Sequence, residues 1–374
     1  MGDFLFQSII VEMNNCQGKK CQKEQYDKQR EQVAHYYGTV LSSNRDLKSS
    51  ACCQAQEPSI HKAICSRLPD EILERFYGCG SPIPPALTNA IVLDLGCGTG
   101  RDVYVCSALV GVGGRVIGLD MLDSSLQVAR KYQTTLSKQF FPDLESYSNV
   151  EFLCGYMEQL EEAGVERESC DLVISNCVIN LVPNKEQVFR QVYYTLKVGG
   201  ELYFSDIYTD RRMSEVAKTD PLLICECLGG ALYLQDFKSI VESIGFLDPR
   251  MVTCKKVEHS LSNELESKIK NVTYYSCTFR MFRLNDGLLE HNREDYGEEA
   301  VYLGTITECP DVFELDMDYR FPKAVSVPVD HNTANILRYS RYGSHFCVSE
   351  KMEHRGPFIQ KKGNCCYNLV DWHK

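Results

Sequence analysis

The sequence predicts an α/β fold: a Rossmann-like, mostly parallel sheet wrapped by helices, then a small C-terminal α+β domain. Three observations predict it. Unbroken apolar runs, Ile91–Leu95 first among them, recur between helix-patterned segments, as strands buried on both faces do. A glycine-rich loop, Asp94-Leu95-Gly96-Cys97-Gly98-Thr99-Gly100, follows the first run directly. Beyond residue 252 the pattern changes to alternating, half-buried strands with long connections.

Taken in order, residues 1–28 are polar, of mixed charge, and carry Cys16 and Cys21. They read as a flexible extension, since a C-x4-C pair with no second pair at suitable spacing is a weak metal signal. Residues 29–87 form a helical segment with loops. Val33, Tyr36, Tyr37 and Val40 recur at helical spacing, and Ser42 to Ala55 is a polar loop holding Cys52 and Cys53. Helices are expected at His61–Arg67 and Asp70–Phe76, before a turn enforced by Gly78, Gly80 and Pro82. The core spans 88–252, with strands at Ile91–Leu95, Arg115–Leu119, Val150–Cys154, Asp171–Ser175 and Gly200–Ser205. Ser124 and Gln127 make a capping-box pattern for a helix through Leu126, Ala129 and Leu136, and Lys185–Leu196 is a further helix. Strands alternating with helices imply parallel pairing and right-handed crossovers. Residues 253–350 form the α+β domain, with strands at Cys277–Leu284 and Ala300–Thr305, and 351–374 is a flexible polar tail with Cys365-Cys366.

Composition narrows the function. A chain of 374 residues, 44% hydrophobic and 24% charged, is long enough for two domains and a sizeable core. A net charge of −11 and a pI near 5.3 argue against a nucleic-acid partner, which needs a basic face. No apolar run approaches the ~20 residues of a membrane span. The start carries Asp3 and Glu12 and lacks a basic n-region, so a cytoplasmic location is expected, and Asn271-Val272-Thr273 is incidental as a glycosylation acceptor. A monomer is expected. Nineteen cysteines in such a chain read as reduced thiols, many buried as small hydrophobes and a subset reactive.

The glycine loop discriminates between two cofactors. A dinucleotide loop reads G-x-G-x-x-G and aims backbone amides at a pyrophosphate. This one reads D-x-G-x-G-x-G, suited to S-adenosyl-L-methionine, which has no phosphate and needs close backbone approach past residues lacking a Cβ. A carboxylate ending the second strand should bind the ribose hydroxyls, and Asp120 stands there. Glu158, after the third strand, is placed for the adenine amino group. Tyr77, Asp94, Gly96, Gly98, Gly100, Met121, Met157 and Asn176 complete the expected cofactor-binding set. Cys97 within the loop reads as a small tolerated residue.

The acceptor should face the residues after the fourth strand, because open α/β sheets bind ligands at the carboxyl ends of their strands. Enzymes that methylate nucleobase amines carry N/D-P-P-Y/F here. This chain has Ser175-Asn176-Cys177-Val178, with a thiol and no aromatic clamp.

Several segments together resemble the arsenite methyltransferase family. They are Tyr36-Tyr37-Gly38, Asp46-Leu47-Lys48 before Cys52-Cys53, Tyr77-Gly78-Cys79-Gly80, Gly100-Arg101-Asp102, and Gly155-Tyr156-Met157-Glu158. Ser175 to Leu181, Gly199 to Asp206 and Glu226 to Tyr233 complete the set. The resemblance implies a class I methyltransferase with a mostly parallel seven-stranded sheet, acting on arsenite or its glutathione conjugate. It implies four working cysteines: Cys177 and Cys227 as the core arsenic(III) ligands, with Cys79 or Cys52 as the third and a partner in disulfide exchange. Thioredoxin or glutathione would be the reductant, and mono- and dimethylated arsenic the products. Trivalent arsenic is soft and prefers thiolates, and three of them leave it one lone pair with no proton to remove. The absence of a convincing His–carboxylate pair among eight histidines agrees with that. A small organic acceptor, with the cysteines as packing, is the alternative, and a non-catalytic metalloid sensor is a third reading. Two departures stand out. Val198 replaces the family's proline before Gly199-Gly200, and Ile224-Cys225 replaces its Trp-Gly before Glu226. Cys65, Cys106, Cys154, Cys170, Cys254, Cys277, Cys309 and Cys347 read as structural.

Overall fold

A helix over residues 23–35 (α1) is the first described element and runs into a π-helical turn at Tyr36–Val40. The computed structural model describes residues 23–41, 43, 46, 58–80, 82–258 and 261–359. The extension up to residue 22, the loop with Cys52 and Cys53, and the tail from 360 with Cys365-Cys366 lie outside the described residues. The expected flexible extension to residue 28 is therefore corrected at its end, where 23–28 are helical.

Two short helices follow, α2 (Ser59–Cys65) and α3 (Asp70–Leu73), and then the α/β unit begins. It comprises β1 (Ile91–Leu95), α4 (Arg101–Val110), β2 (Arg115–Asp120), α5 (Asp123–Phe140), β3 (Val150–Cys154), β4 (Cys170–Asn176), α6 (Lys185–Thr195) and β5 (Leu196–Thr209). After it come α7 (Glu215–Lys218), α8 (Pro221–Cys225), β6 (Leu232–Tyr233), α9 (Leu234–Ile244), β7 (Arg250–Lys256), α10 (Asn263–Lys268) and β8 (Tyr274–Phe282). The sheet order is β3-β2-β1-β4-β5-β8-β7, with two-residue β6 beside the end of β5. β8 is antiparallel to both β5 and β7, and the remaining pairs are parallel. The expected seven strands are the seven on this path.

One expected boundary moves. The strand assigned to the C-terminal domain from Cys277 onward is β8, wedged between β5 and β7, so the core sheet does not end at residue 252. Its alternation misled because both its faces are covered: all nine of its positions pair with β5 and all but one residue are buried. The expected capping box also fails. α5 starts at Asp123, with Leu122 at the N-cap and no side-chain cap there. Gln127 instead donates to the Asp123 carboxylate at 2.8 Å. Gly200–Ser205 proves to be the middle of the much longer β5.

Two apolar layers flank the sheet. One packs α6 and α9 through Phe189, Val192, Phe237 and Val241 against β4, β5 and β8, and the other packs α4 and α5 through Val103, Tyr104, Leu126 and Ala129 against β1 and β2. The last domain has β9 (Glu298–Tyr302), β10 (Val312–Glu314), β11 (Arg320–Pro322), β12 (Ser326–Val329), α11 (His331–Tyr339) and β13 (Phe346–Val348). A three-stranded antiparallel sheet, β12-β9-β13, and the β10–β11 pair enclose Tyr302, Phe313, Phe321 and Tyr342. Glu201 of β5 joins this domain to the core. Its buried carboxylate accepts from Arg280 Nε and from Arg341 Nε, each at 2.8 Å, and Arg341 also donates to the carbonyls of Pro85 and Ala86.

Candidate active site

The loop between β1 and α4 reverses the chain through three left-handed glycines, Gly96, Gly98 and Gly100, with φ of +69°, +53° and +88°. At Gly96 a Cβ would also lie 2.5 Å from Val178 Cγ2, so the close approach of the two loops requires glycine. Asp120, ending β2, holds this loop. One carboxylate oxygen accepts from the Gly98 amide and the other from the Leu122 amide, both at 2.8 Å. Burial pushes the Asp120 carboxyl up, and these amides pull it back down. Asp94 is buried beside Asp102 and Asp120, and burial together with those two carboxylates drives its carboxyl well above the usual range. Cys97 packs toward Gly118, where a Cβ would come 2.9 Å from its sulfur, which accounts for a small side chain at that position.

These residues wall a cavity at the carboxyl ends of β1, β2 and β4. Nine of the ten residues expected to bind the cofactor line it: Tyr77, Asp94, Gly96, Gly98, Asp120, Met121, Met157, Glu158 and Asn176. Gly100 does not; it caps α4 and turns the chain. Asn176 has a second task. Its Oδ1 accepts from the amides of Cys79 and Gly80 at 2.9 and 3.2 Å, and its Nδ2 donates to the Gly80 carbonyl at 3.0 Å and to Asp102 at 3.1 Å. The Tyr77–Gly80 loop is thereby clasped to the end of β4.

Three of the four expected cysteines converge here. Cys79 and Cys177 form a disulfide, with Cα atoms 5.7 Å apart. Cys177 also lines the cavity. Cys227 lies directly behind, its thiol donating to the Cys177 carbonyl at 3.1 Å. Both Cys177 and Cys227 have left-handed backbones, φ +57° and +61°, unusual for residues with a Cβ. Cys52 falls outside the described residues. The Cys225 sulfur faces the Gln32 carbonyl of α1 at 4.0 Å, and burial pushes its thiol up to about 11. Among the described residues no group of three or more His, Cys, Asp or Glu is gathered to hold a metal ion. Of the cysteines read from the sequence as structural, Cys154 and Cys347 are exposed.

Sequence reasoning missed the residues that close the site from α1. Arg30 donates to the Glu158 carboxylate at 2.9 Å while its guanidinium lies 4.4 Å from the centre of the Tyr156 ring. Gln29 donates to the Leu181 carbonyl, Tyr36 to the buried Glu226 carboxylate at 2.5 Å, and Tyr37 to the Cys225 carbonyl. Only long-range contact makes these residues significant. The one local signal was the Tyr36-Tyr37-Gly38 motif.

Comparison with known proteins decides what this site belongs to. Residues 87–245 match a methyltransferase domain family, and residues 296–370 match the arsenite methyltransferase C-terminal domain. The chain is 41% identical to the arsenite methyltransferase of Aquipseudomonas alcaligenes over 90% of its length and 96% of that protein. It is likewise 41% identical to the human arsenite methyltransferase, covering 84% of this chain and 82% of that one. The chain belongs to the arsenite methyltransferase family. Among solved structures, an arsenic (III) S-adenosylmethionine methyltransferase from Chlamydomonas reinhardtii is 39% identical, with a TM-score of 0.76, over 81% of this chain and 100% of that one. This arsenite methyltransferase family member is thus an S-adenosylmethionine-dependent methyltransferase of class I fold. Its donor set suits that cofactor. Asp120 keeps acceptor capacity beyond its two amide bonds, since a carboxylate offers roughly four lone-pair positions. Among the described residues no helix is long and apolar enough to cross a membrane.

Proposed function

We propose that the protein methylates thiolate-bound trivalent arsenic, giving mono- and dimethylated products, with a cysteine pair returning arsenic to the trivalent state between steps. The observation that carries this reading is the convergence of Cys79, Cys177 and Cys227 beside the cofactor cavity, on three separate segments.

In this reading Asp120 binds the ribose hydroxyls, Glu158 the adenine, and Tyr77, Met121 and Met157 pack against the bound cofactor. The glycine loop admits its methionyl end past Asp94. S-adenosylmethionine, when bound, supplies an electrophilic methyl group. Cys177 and Cys227, with Cys79 or Cys52, hold arsenic as a pyramid and aim its lone pair at that methyl. Positioning of this kind is worth about 7–11 kcal/mol of barrier. The lone pair would form the new As–C bond as the sulfonium–methyl bond breaks and S-adenosylhomocysteine leaves, taking arsenic from the trivalent to the pentavalent state. Two cysteine thiolates then form a disulfide and return two electrons to arsenic. Cys79 and Cys177 support this step, since their Cα separation of 5.7 Å lies within the range that a disulfide spans. Thioredoxin or glutathione, in a cytoplasmic setting, restores the thiols by exchange. The protein acts as a monomer.

The test is an assay with arsenite, S-adenosylmethionine, glutathione and a thioredoxin system, with arsenic species resolved by chromatography and mass detection. Methylated arsenic should form with the parent enzyme and vanish in Cys177→Ser and Cys227→Ser. No methylated arsenic from protein that binds S-adenosylmethionine would overturn the reading in favour of an organic acceptor.

A further inference from the structure

Two cysteines outside the active site face one another across the far edge of the sheet. Cys254 of β7 and Cys277 of β8 are direct partners in the antiparallel register. Directly opposed residues in such a pair have Cα atoms about 4.5–5.5 Å apart, inside the roughly 4.4–6.8 Å that a disulfide requires. Their sulfurs are 3.5 Å apart, with the Cys277 thiol donating to Cys254. Both are unbonded thiols.

The two are not equivalent. Cys277 is fully buried, whereas Cys254 keeps 8% exposure on the last strand of the sheet, between exposed Thr253 and Lys255. The hydrogen bond from Cys277 favours the Cys254 thiolate and lowers its thiol, while burial drives Cys277 well above the usual range. A cysteine on an edge strand with a second, deeper sulfur 3.5 Å behind it is the arrangement of an attacking and a resolving cysteine. Lys255 and Lys256, both exposed, favour the approach of an anionic reagent.

We propose that Cys254 and Cys277 are a second oxidisable pair, which a small anionic disulfide such as glutathione disulfide converts to a cross-strand disulfide. The Cys254 sulfur attacks one sulfur of the reagent, whose S–S bond breaks to release one thiol. The Cys277 sulfur then attacks Cys254, forming the protein S–S bond and releasing the second thiol. Two protein thiols are oxidised, one small disulfide is reduced to two thiols, and the two protein protons leave with them. The link ties the edge strand to β8, whose Ser276 hydroxyl donates to the Cys79 carbonyl at 3.2 Å. The inference stands on the fold and the two sulfurs, and it holds whatever the methyl acceptor proves to be.

Trypsin makes the test direct, because each cysteine falls alone in its own peptide, 251–255 and 271–280. Full-length protein is reduced, freed of reductant, incubated folded with glutathione disulfide, alkylated and digested. The expected product is 251–255 linked to 271–280, two hydrogens lighter than the two free peptides together. In Cys277→Ser, Cys254 should stop as the mixed disulfide with glutathione; in Cys254→Ser, Cys277 should be recovered alkylated. Full alkylation of both peptides in parent protein whose Cys79–Cys177 bond has reformed would overturn the proposal. So would a link that forms only after denaturation, or Cys254 paired with any other cysteine.

Discussion

Asp120→Asn separates the two tasks assigned to that carboxylate. In the parent, each oxygen accepts one backbone amide at 2.8 Å, from Gly98 and from Leu122. Roughly two of its four lone-pair positions are left for the ribose. Asparagine has one carbonyl oxygen, and its amide nitrogen would face a backbone N–H. One loop amide and one ribose hydroxyl therefore lose their acceptor. A hydrogen bond to a charged group is worth about 1.5–3 kcal/mol, and about 1.4 kcal/mol is tenfold in affinity. Loss of the ribose contact alone predicts roughly 10- to 150-fold weaker S-adenosylmethionine binding, read by titration calorimetry without arsenic. Loss of the loop contact appears separately, as a lower melting temperature of the free protein. Cofactor affinity within twofold of the parent would refute the assignment of Asp120 to the ribose, whatever the melting temperature did.

Three further perturbations test the surrounding structure. Gly96→Ala places a Cβ 2.5 Å from Val178 at a φ of +69°, so both stability and cofactor affinity should fall, measured by thermal melting and calorimetry. Glu201→Gln removes the charge that Arg280 and Arg341 share in the interior, and breaking a buried pair costs about 3–5 kcal/mol. Urea unfolding checks it, and a loss below about 1 kcal/mol would contradict the buried network. Asp206 is raised by burial to about 7. The folded state thus holds a proton that the unfolded state has released above its ordinary pKa of about 3.9. Stability should therefore fall with rising pH by about 1.4 kcal/mol per unit from this group, up to pH 7. Asp206→Asn should remove that slope when urea unfolding is compared at pH 5, 6 and 7.

Local signals carried the first five strands well, because each is an apolar run that ends at a glycine, a carboxylate or a cysteine motif. β8 was misplaced for a physical reason. Residues 210–273 separate it from the end of β5, and its partner is chosen by sheet order rather than by neighbouring sequence. The cavity residues were legible because they sit at strand ends, where the backbone itself positions them. Arg30 and Gln29 were not, since a polar residue on an amphipathic helix looks the same whether it meets water or a distant loop. The capping box at Ser124 failed to a competing local arrangement: Asp120 already takes the Leu122 amide, and the helix starts two residues sooner, with Leu122 rather than Ser124 at the N-cap.

The residues around the two central cysteines matter as much as the sulfurs. In Ser175 to Leu181, Asn180 donates its side-chain amide to the Ile207 carbonyl at 2.6 Å and toward the Cys227 carbonyl at 3.5 Å, so one cysteine motif grips the other. Its own backbone amide is held by buried Asp206 at 3.0 Å. On the other side, a Cβ on Gly230 would fall 1.9 Å from the Asn180 carbonyl oxygen, and one on Gly229 would fall 2.8 Å from the Ile224 amide. The paired glycines after Cys227 are therefore the room that lets the two loops meet. Each left-handed cysteine costs roughly 1–2 kcal/mol of backbone strain. Glycine at either position would relieve that strain, and the thiols would be lost with it. The strain and the clamping together fix the backbone at both turns, so each cysteine is held where its own motif places it.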